Sequence, residues 1–309
     1  MSAWFSSAAA SPPQAWLGLR AHADLALAAR CAPAAPGGRP RVQFSPVLRG
    51  GDALARLWPW VRGQGRQTAT CIVLPGAGYR IVPTEVPPVP AAERRQALRW
   101  QIRDQLDYPA EEAVVDGLLI PATTAGAQPR RMLAVAAHQD EVRALMQQCR
   151  SARVALRAID IAETALRNLS VLAGGDRAHA FLHVGQHSSR LLLVWQREIC
   201  TFRQFDCSCE SIAAAAPHER GALLERIALD VQRTADAFVR QFHAAQLDTL
   251  WLCTDEPSHA ALAELGQLLT LKVQPYVASQ YLDLPPGAGL FDAAEGVDYT
   301  LAVGAALRH

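Results

Sequence analysis

The chain carries almost no net charge, no long apolar run and no paired cysteine framework, and each absence removes a class of function. Thirty Lys and Arg against 29 Asp and Glu leave a formal charge of +1. No global field therefore draws the protein to nucleic acid or to an anionic lipid surface. No stretch nears the roughly 20 consecutive apolar residues that span a bilayer. The opening MSAWFSSAAASPPQAW has neither a basic leader nor a compact apolar core, which argues against a secretion signal. Seven cysteines, an odd number without regular spacing, fit free thiols in a reducing, cytoplasmic compartment. Cys207 and Cys209, with His183 and His187 upstream, lack the second spaced pair of a structural zinc site. Cys207 with His218 lacks the context of a nucleophile and its base.

What the chain does have is apolar mass arranged as alternating strands and helices. Half of its 309 residues are hydrophobic, enough for one large or two moderate cores. The most informative stretch is residues 181–206, FLHVGQHSSRLLLVWQREICTFRQFD. It reads as three short strands, 181–184, 190–195 and 199–205, joined by a turn at Gly185–Gln186–His187–Ser188–Ser189 and a charged turn at 196–198. Main-chain N–H groups at Gly185 could meet a phosphate there. A similar meander recurs near the start: 15–19, a turn at Arg20–Ala21–His22–Ala23, then 24–30 and 41–48. Two copies of one shape predict a two-lobed, duplicated fold. The competing reading is two unrelated antiparallel meanders.

Between the copies, residues 52–61 read as a helix stopped at Pro59, and 70–74 as a buried strand. Prolines at 83, 87, 88 and 90 forbid a regular ladder. Residues 91–106 read as a helix with Leu98, Ile102 and Leu106 on one stripe and Trp100 roughly 200° away. Strands at 114–120 and 132–137, a helix at 139–149 and a strand at 154–159 follow. Asp160 caps a helix over 161–172. After the second meander come a helix over 219–245, a strand at 250–253, a helix over 258–269, a strand at 271–273, a loop over 283–296 and a closing helix over 299–308. The alternation argues α/β.

In this order, the segments ERRQALRWQIRDQLDYPAEEAVVDG, RMLAVAAHQDEVRALMQQCRSARVALRAIDIAETALRNL, FLHVG, TFRQFD, DVQRTADAF and YTLAVGAALR resemble the PilM family of type IV pilus assembly proteins. They look most like the MshI branch, which serves MSHA pili. The resemblance implies the actin-like ATPase fold, of the ribonuclease H-like class, with a small inserted α/β subdomain. It places the first lobe at 1–66, completed by 297–309, the insertion at 67–157 and the second lobe at 158–296. It implies a cytoplasmic scaffold, peripheral to the inner membrane, that binds the cytoplasmic tail of a PilN-like inner-membrane protein. The pilus motor ATPase is a further partner on this reading, and no membrane span is expected. The alternative is an ATP-binding switch of the pilus or of a type II secretion platform, whose members normally continue into a membrane span.

An actin-like nucleotide site needs two carboxylate-bearing hairpins for Mg²⁺ and phosphates and a Gly-Gly turn against the nucleoside. Carried onto this chain, the first Asp position is Arg20 and the Gly position His22. The second Asp position is His183, with Gly185 retained, and the Gly-Gly position is Thr254–Asp255. Without the acids, phosphoryl transfer loses its charge neutralisation. The expectation is a pseudo-ATPase with no bound cofactor, in which Arg20, His183 and Asp255 close a dead cleft, although Arg20 could still meet a phosphate. Glu111, Glu112 and Asp116 read as a solvated face, and Trp58 and Trp60 as packing residues. Arg99, Trp100 and Arg103 are the expected partner-binding residues, an edge that grips an extended peptide with apolar and acidic side chains. The competing reading packs Trp100 inside the subdomain.

Overall fold

Both meanders form, and each seeds a sheet of the same strand order. A computed structural model describes residues 15–22, 24–34, 37–65, 67–123, 128–292 and 296–308. The chain divides into two units. One holds the residues up to Ala165 together with those from Leu301 onward, and the other is Leu166–Thr300.

In the first unit β1 (Ala15–His22), β2 (Leu25–Ala32) and β3 (Arg41–Phe44) are antiparallel neighbours, with the short β4 (Leu48–Arg49) also on β2. The turn expected at Arg20–Ala23 is corrected over Arg20–His22, Ala23 lying outside the described residues. β1 runs on to His22, and Arg20 pairs with Leu27, so Arg20 is a ladder residue. Helix α1 (Ala53–Gly63) follows and is not stopped by Pro59. The proline sits on the exposed side and costs one intrahelical bond, while Leu57, Trp58 and Val61 stay buried around it.

The next strand, β5 (Thr68–Val73), lies parallel to β1. The chain then builds a separate antiparallel sheet from β6 (Arg80–Glu85), β7 (Ala113–Leu119) and β8 (Arg131–His138), in the order β6-β8-β7. Helix α2 (Arg94–Gln101) covers it through Leu98 and Ile102, which pack on Val82, Val115 and Met132. Helix α3 (Gln139–Ser151) is capped by the His138 ring, whose Nδ1 accepts from the Asp140 N–H. β9 (Leu156–Asp160) then returns parallel to β5. The expected insertion of 67–157 and the second-lobe start at 158 are thus misplaced. β5 and most of β9 belong to the first sheet, because Ala69–Leu74 and Ala158–Asp160 are apolar or paired residues buried on both faces. The first core packs Leu17, Leu19, Ala26, Ala28 and Ile72 of the sheet against α1 and the end of α3. Helix α4 (Ala162–Gly174) starts in this unit.

In the second unit β10 (His179–Val184), β11 (Ser189–Trp195) and β12 (Glu198–Phe205) form the second meander. Gln196 and Arg197, at φ 52° and 65°, make the two-residue turn between the last two. The short α5 (Cys209–Ala214) and the long α6 (Pro217–Gln241) follow. β13 (Thr249–Cys253) lies parallel to β10. The helix expected over 258–269 is two, α7 (Glu256–Leu262) and α8 (Leu265–Leu268). β14 (Lys272–Pro275) pairs with β13, and β15 (Phe291–Asp292) with β16 (Val297–Asp298). Helix α9 (Thr300–Ala306) closes the chain, and from Leu301 it belongs to the first unit. Gly18 and Gly304 let its backbone approach β1 and α4. A Cβ on Gly18 would stand 2.8 Å from the Ala306 nitrogen, and one on Gly304 2.6 Å from the Ala165 carbonyl carbon.

The two sheets read β3-β2-β1-β5-β9 and β12-β11-β10-β13-β14. In each, the first strand of an antiparallel meander is extended by two parallel strands. The duplication expected from sequence is therefore one of topology. Among the described residues no helix is long and apolar enough to cross a membrane.

Candidate functional site

The expected nucleotide positions of the first unit fall on β1. Arg20 stands between Leu27 of β2 and Val73 of β5, and Val73 is the neighbour of Asp160 on β9. His22 is exposed beside the hairpin turn, opposite Leu25. Asp160, expected as a helix cap, stands two residues before α4 at the end of β9. Its Oδ1 accepts from the Ile161 N–H at 3.0 Å and from the Thr164 hydroxyl, and its Oδ2 is 3.0 Å from Nη1 of Arg308. This ion pair is almost wholly buried, which demands that both charges be matched. The same carboxylate, together with burial, pushes the Cys71 thiol well up, burial being the larger cause.

In the second unit His183 lies on β10 with only 3% of its side chain exposed, and its Nε2 donates to Oδ2 of Asp298 at 2.9 Å. Asp298 was not singled out in the sequence. It sits at the end of β16, equally buried, and its Oδ1 accepts from the Thr300 N–H at 2.8 Å, opening α9. Phe291 stacks on the imidazole at 6.1 Å between ring centres. Gly185 is required here, because a Cβ would stand 2.8 Å from Cε1 of His183 and 3.0 Å from Oδ2 of Asp298. Its N–H is not free for a phosphate, since it donates to the Ser188 carbonyl at 3.1 Å. Its carbonyl accepts from the Cys209 N–H at 2.9 Å.

Thr254 and Asp255 do stand at a strand end, after β13. Asp255 is spent as the N-cap of α7, its Oδ1 accepting from the Ser258 N–H at 2.8 Å. The Thr254 hydroxyl is 3.5 Å from the Cys209 thiol, which also donates to the Val184 carbonyl. Cys253, opposite His183, is held well above the ordinary thiol range, first by burial and then by the Asp298 carboxylate. The structure thus joins His183 to Asp298 and ties Asp255 to its own helix.

The expected partner edge lies on and just beyond α2. Trp100 is 46% exposed, so the reading that packs it inside the subdomain is set aside. Leu98 and Ile102, on the stripe that Trp100 stands off, are buried as expected. Arg99 flanks it half-buried, and Arg103, one turn on, is exposed and 3.3 Å from Asp104. The solvated face expected at Glu111, Glu112 and Asp116 is corrected at Asp116. Asp116 is buried, paired with Arg95 at 3.3 Å and accepting from the Gly117 N–H, and Glu112 meets His138 at 2.9 Å. Trp58 is buried and Trp60 partly so, both in the first core.

No family model matches the sequence, and no curated protein matches it. Solved structures do match. The structure described as the PilM–PilN type IV pilus biogenesis complex superposes with a TM-score of 0.70 at 17% identity, over 96% of this chain and 98% of that one. The cytoplasmic domain of EpsL, an inner-membrane component of the Vibrio cholerae type II secretion system, gives 0.52 at 12%, over 94% of each chain. A Bacteroides thetaiotaomicron protein described as having an actin-like ATPase fold and unknown function gives 0.48 at 11%, over 85% and 91%. At such identities the likeness is one of fold, and the fold of this chain is the actin-like ATPase fold in its PilM-like form.

Proposed function

We propose that the chain is a scaffold of a type IV pilus assembly platform, most like the MshI branch that serves MSHA pili. It holds the cytoplasmic tail of a PilN-like inner-membrane protein, works at the cytoplasmic side of the inner membrane through that partner, and hydrolyses no ATP. The observation that carries the reading is the end-to-end likeness to the PilM–PilN structure, over 96% and 98% of the two chains. EpsL, an inner-membrane component of a secretion system, has the same fold over 94% of each chain, which supports a platform role. The half-exposed Trp100 between Arg99 and Arg103 supports tail capture there, since a buried-on-binding tryptophan with flanking arginines is the side-chain set that dominates interfaces. The pilus motor ATPase is a second partner on this reading.

The chemistry of the donors supports the pseudo-ATPase half. Hard cations take oxygen ligands, whereas Arg20 and His183 present a guanidinium and an imidazole. The carboxylates nearest these positions in the sheets are already engaged, Asp160 by Arg308 and Asp298 by His183. One observation favours the ATP-switch alternative: acids do stand at the end of β9 and beside β10, where a rearrangement could free them. Two titrations separate the readings. A labelled peptide of the PilN-like tail should bind, and Trp100→Ala should weaken it about tenfold with the melting temperature unchanged. A fluorescent ATP analogue with Mg²⁺ should not bind. Tight Mg²⁺-dependent binding overturns the pseudo-ATPase half, and an unaffected Trp100→Ala overturns the site.

A further inference from the structure

Helix α6 has a buried face formed by Leu224, Ile227, Val231, Ala235 and Phe238, and an outward face that no element of its unit covers at Leu229. Leu229 is 50% exposed, the most exposed large apolar side chain among the described residues. Glu225 and Arg233 lie one turn before and one turn after it, at i−4 and i+4, so the three form one row along the helix. Both are exposed. Their polar neighbours are engaged: Asp230 faces Arg203 at 3.7 Å, Arg226 donates to the Asp206 carbonyl, and Gln232 links Asp236 to Thr270. Glu225 and Arg233 have no such partner among the described residues.

The row reads acid, apolar, base, and it is its own complement when reversed. We infer that it is an interface with a second copy of this chain, the two α6 helices crossing antiparallel about a two-fold axis at Leu229. That symmetry sets Leu229 against the partner's Leu229. It also sets Glu225 against the partner's Arg233, and Arg233 against the partner's Glu225, so one surface satisfies itself twice. A crossing of this kind touches over about two turns of each helix, less than a standard stable interface buries. The dimer is therefore weak and concentration-dependent.

Sedimentation over a concentration series, with the full chain, measures it. Glu225→Arg alone and Arg233→Glu alone each replace two attractive pairs by two repulsive ones, and each should weaken dimerisation about tenfold. The double variant should restore it, which a merely structural role at either position would not do. Leu229→Cys should form an intermolecular disulfide on mild oxidation, and Ala237→Cys, off the axis, should not. The seven native cysteines are buried, so the background is low. A chain monomeric at millimolar concentration, no rescue in the double variant, or equal cross-linking of both cysteine variants overturns the inference.

Discussion

Replacing His183 by leucine tests whether the imidazole is there to hold Asp298. Both side chains are about 3% exposed and 2.9 Å apart. Leucine fills a similar volume but donates nothing, so the Asp298 carboxylate loses a donor in a site that water does not reach. Breaking a buried pair by removing one partner costs about 3–5 kcal/mol, because the remaining charge is left uncompensated. At about 3 °C per kcal/mol for a unit of this size, that is a fall of about 9–15 °C. His183→Gln keeps an amide donor near the position of Nε2 and should cost about 1 kcal/mol. The double variant His183→Leu with Asp298→Asn removes the stranded charge, so it should be more stable than His183→Leu alone, a non-additivity of about 1–3 kcal/mol. Urea unfolding followed by near-ultraviolet circular dichroism supplies the free energies of the parent, His183→Leu, His183→Gln, Asp298→Asn and the double variant. A leucine variant within 1 kcal/mol of the parent, or strict additivity in the double variant, would refute the argument that the imidazole N–H is needed to hold the buried carboxylate.

Two further outcomes follow from close packing and burial. Gly304→Ala should destabilise by about 1–3 kcal/mol or more, because the new methyl meets the Ala165 backbone, which cannot yield as a side chain would. Gly221→Ala on the exposed face of α6, with nothing within 4 Å, should instead stabilise by about 0.5–1 kcal/mol, and calorimetry compares the two. Burial pushes Cys31 and Cys200 up to about 12 and Cys149 to about 11. A thiol reagent at pH 8 should therefore find fewer than one reactive cysteine in the native protein within minutes and all seven in denaturant; rapid native labelling would show that the buried thiols open readily.

The fold was legible where local pattern decides it. The three strands of each meander, the Leu98–Ile102 stripe and the outward Trp100 all follow from side-chain periodicity, which acts over one or two turns. Boundaries failed where packing overrides local signals. Pro59 reads locally as a stop, yet α1 continues because three buried neighbours outweigh one lost bond. Residues 67–73 fall within the insertion that the resemblance implies, yet their strand is claimed by β1 across the sheet.

The chemistry of the site was the least legible part, and the reason is separation along the chain. His183 meets Asp298 across 115 positions, and Asp160 meets Arg308 across 148. No window of sequence contains either pair. Asp298 carries no motif of its own, standing between Val297 and Tyr299 at the edge of what reads as a loop. Yet a constraint was available, because a histidine on a strand of continuous apolar burial and an arginine in a closing small-residue helix each require a partner. With 29 acidic residues in the chain, that constraint announces the need for a carboxylate without saying which one answers it. A buried carboxylate needs donors wherever the chain can bring them, so Asp298 is met by the His183 imidazole and Asp160 by the Arg308 guanidinium from the far end of the sequence.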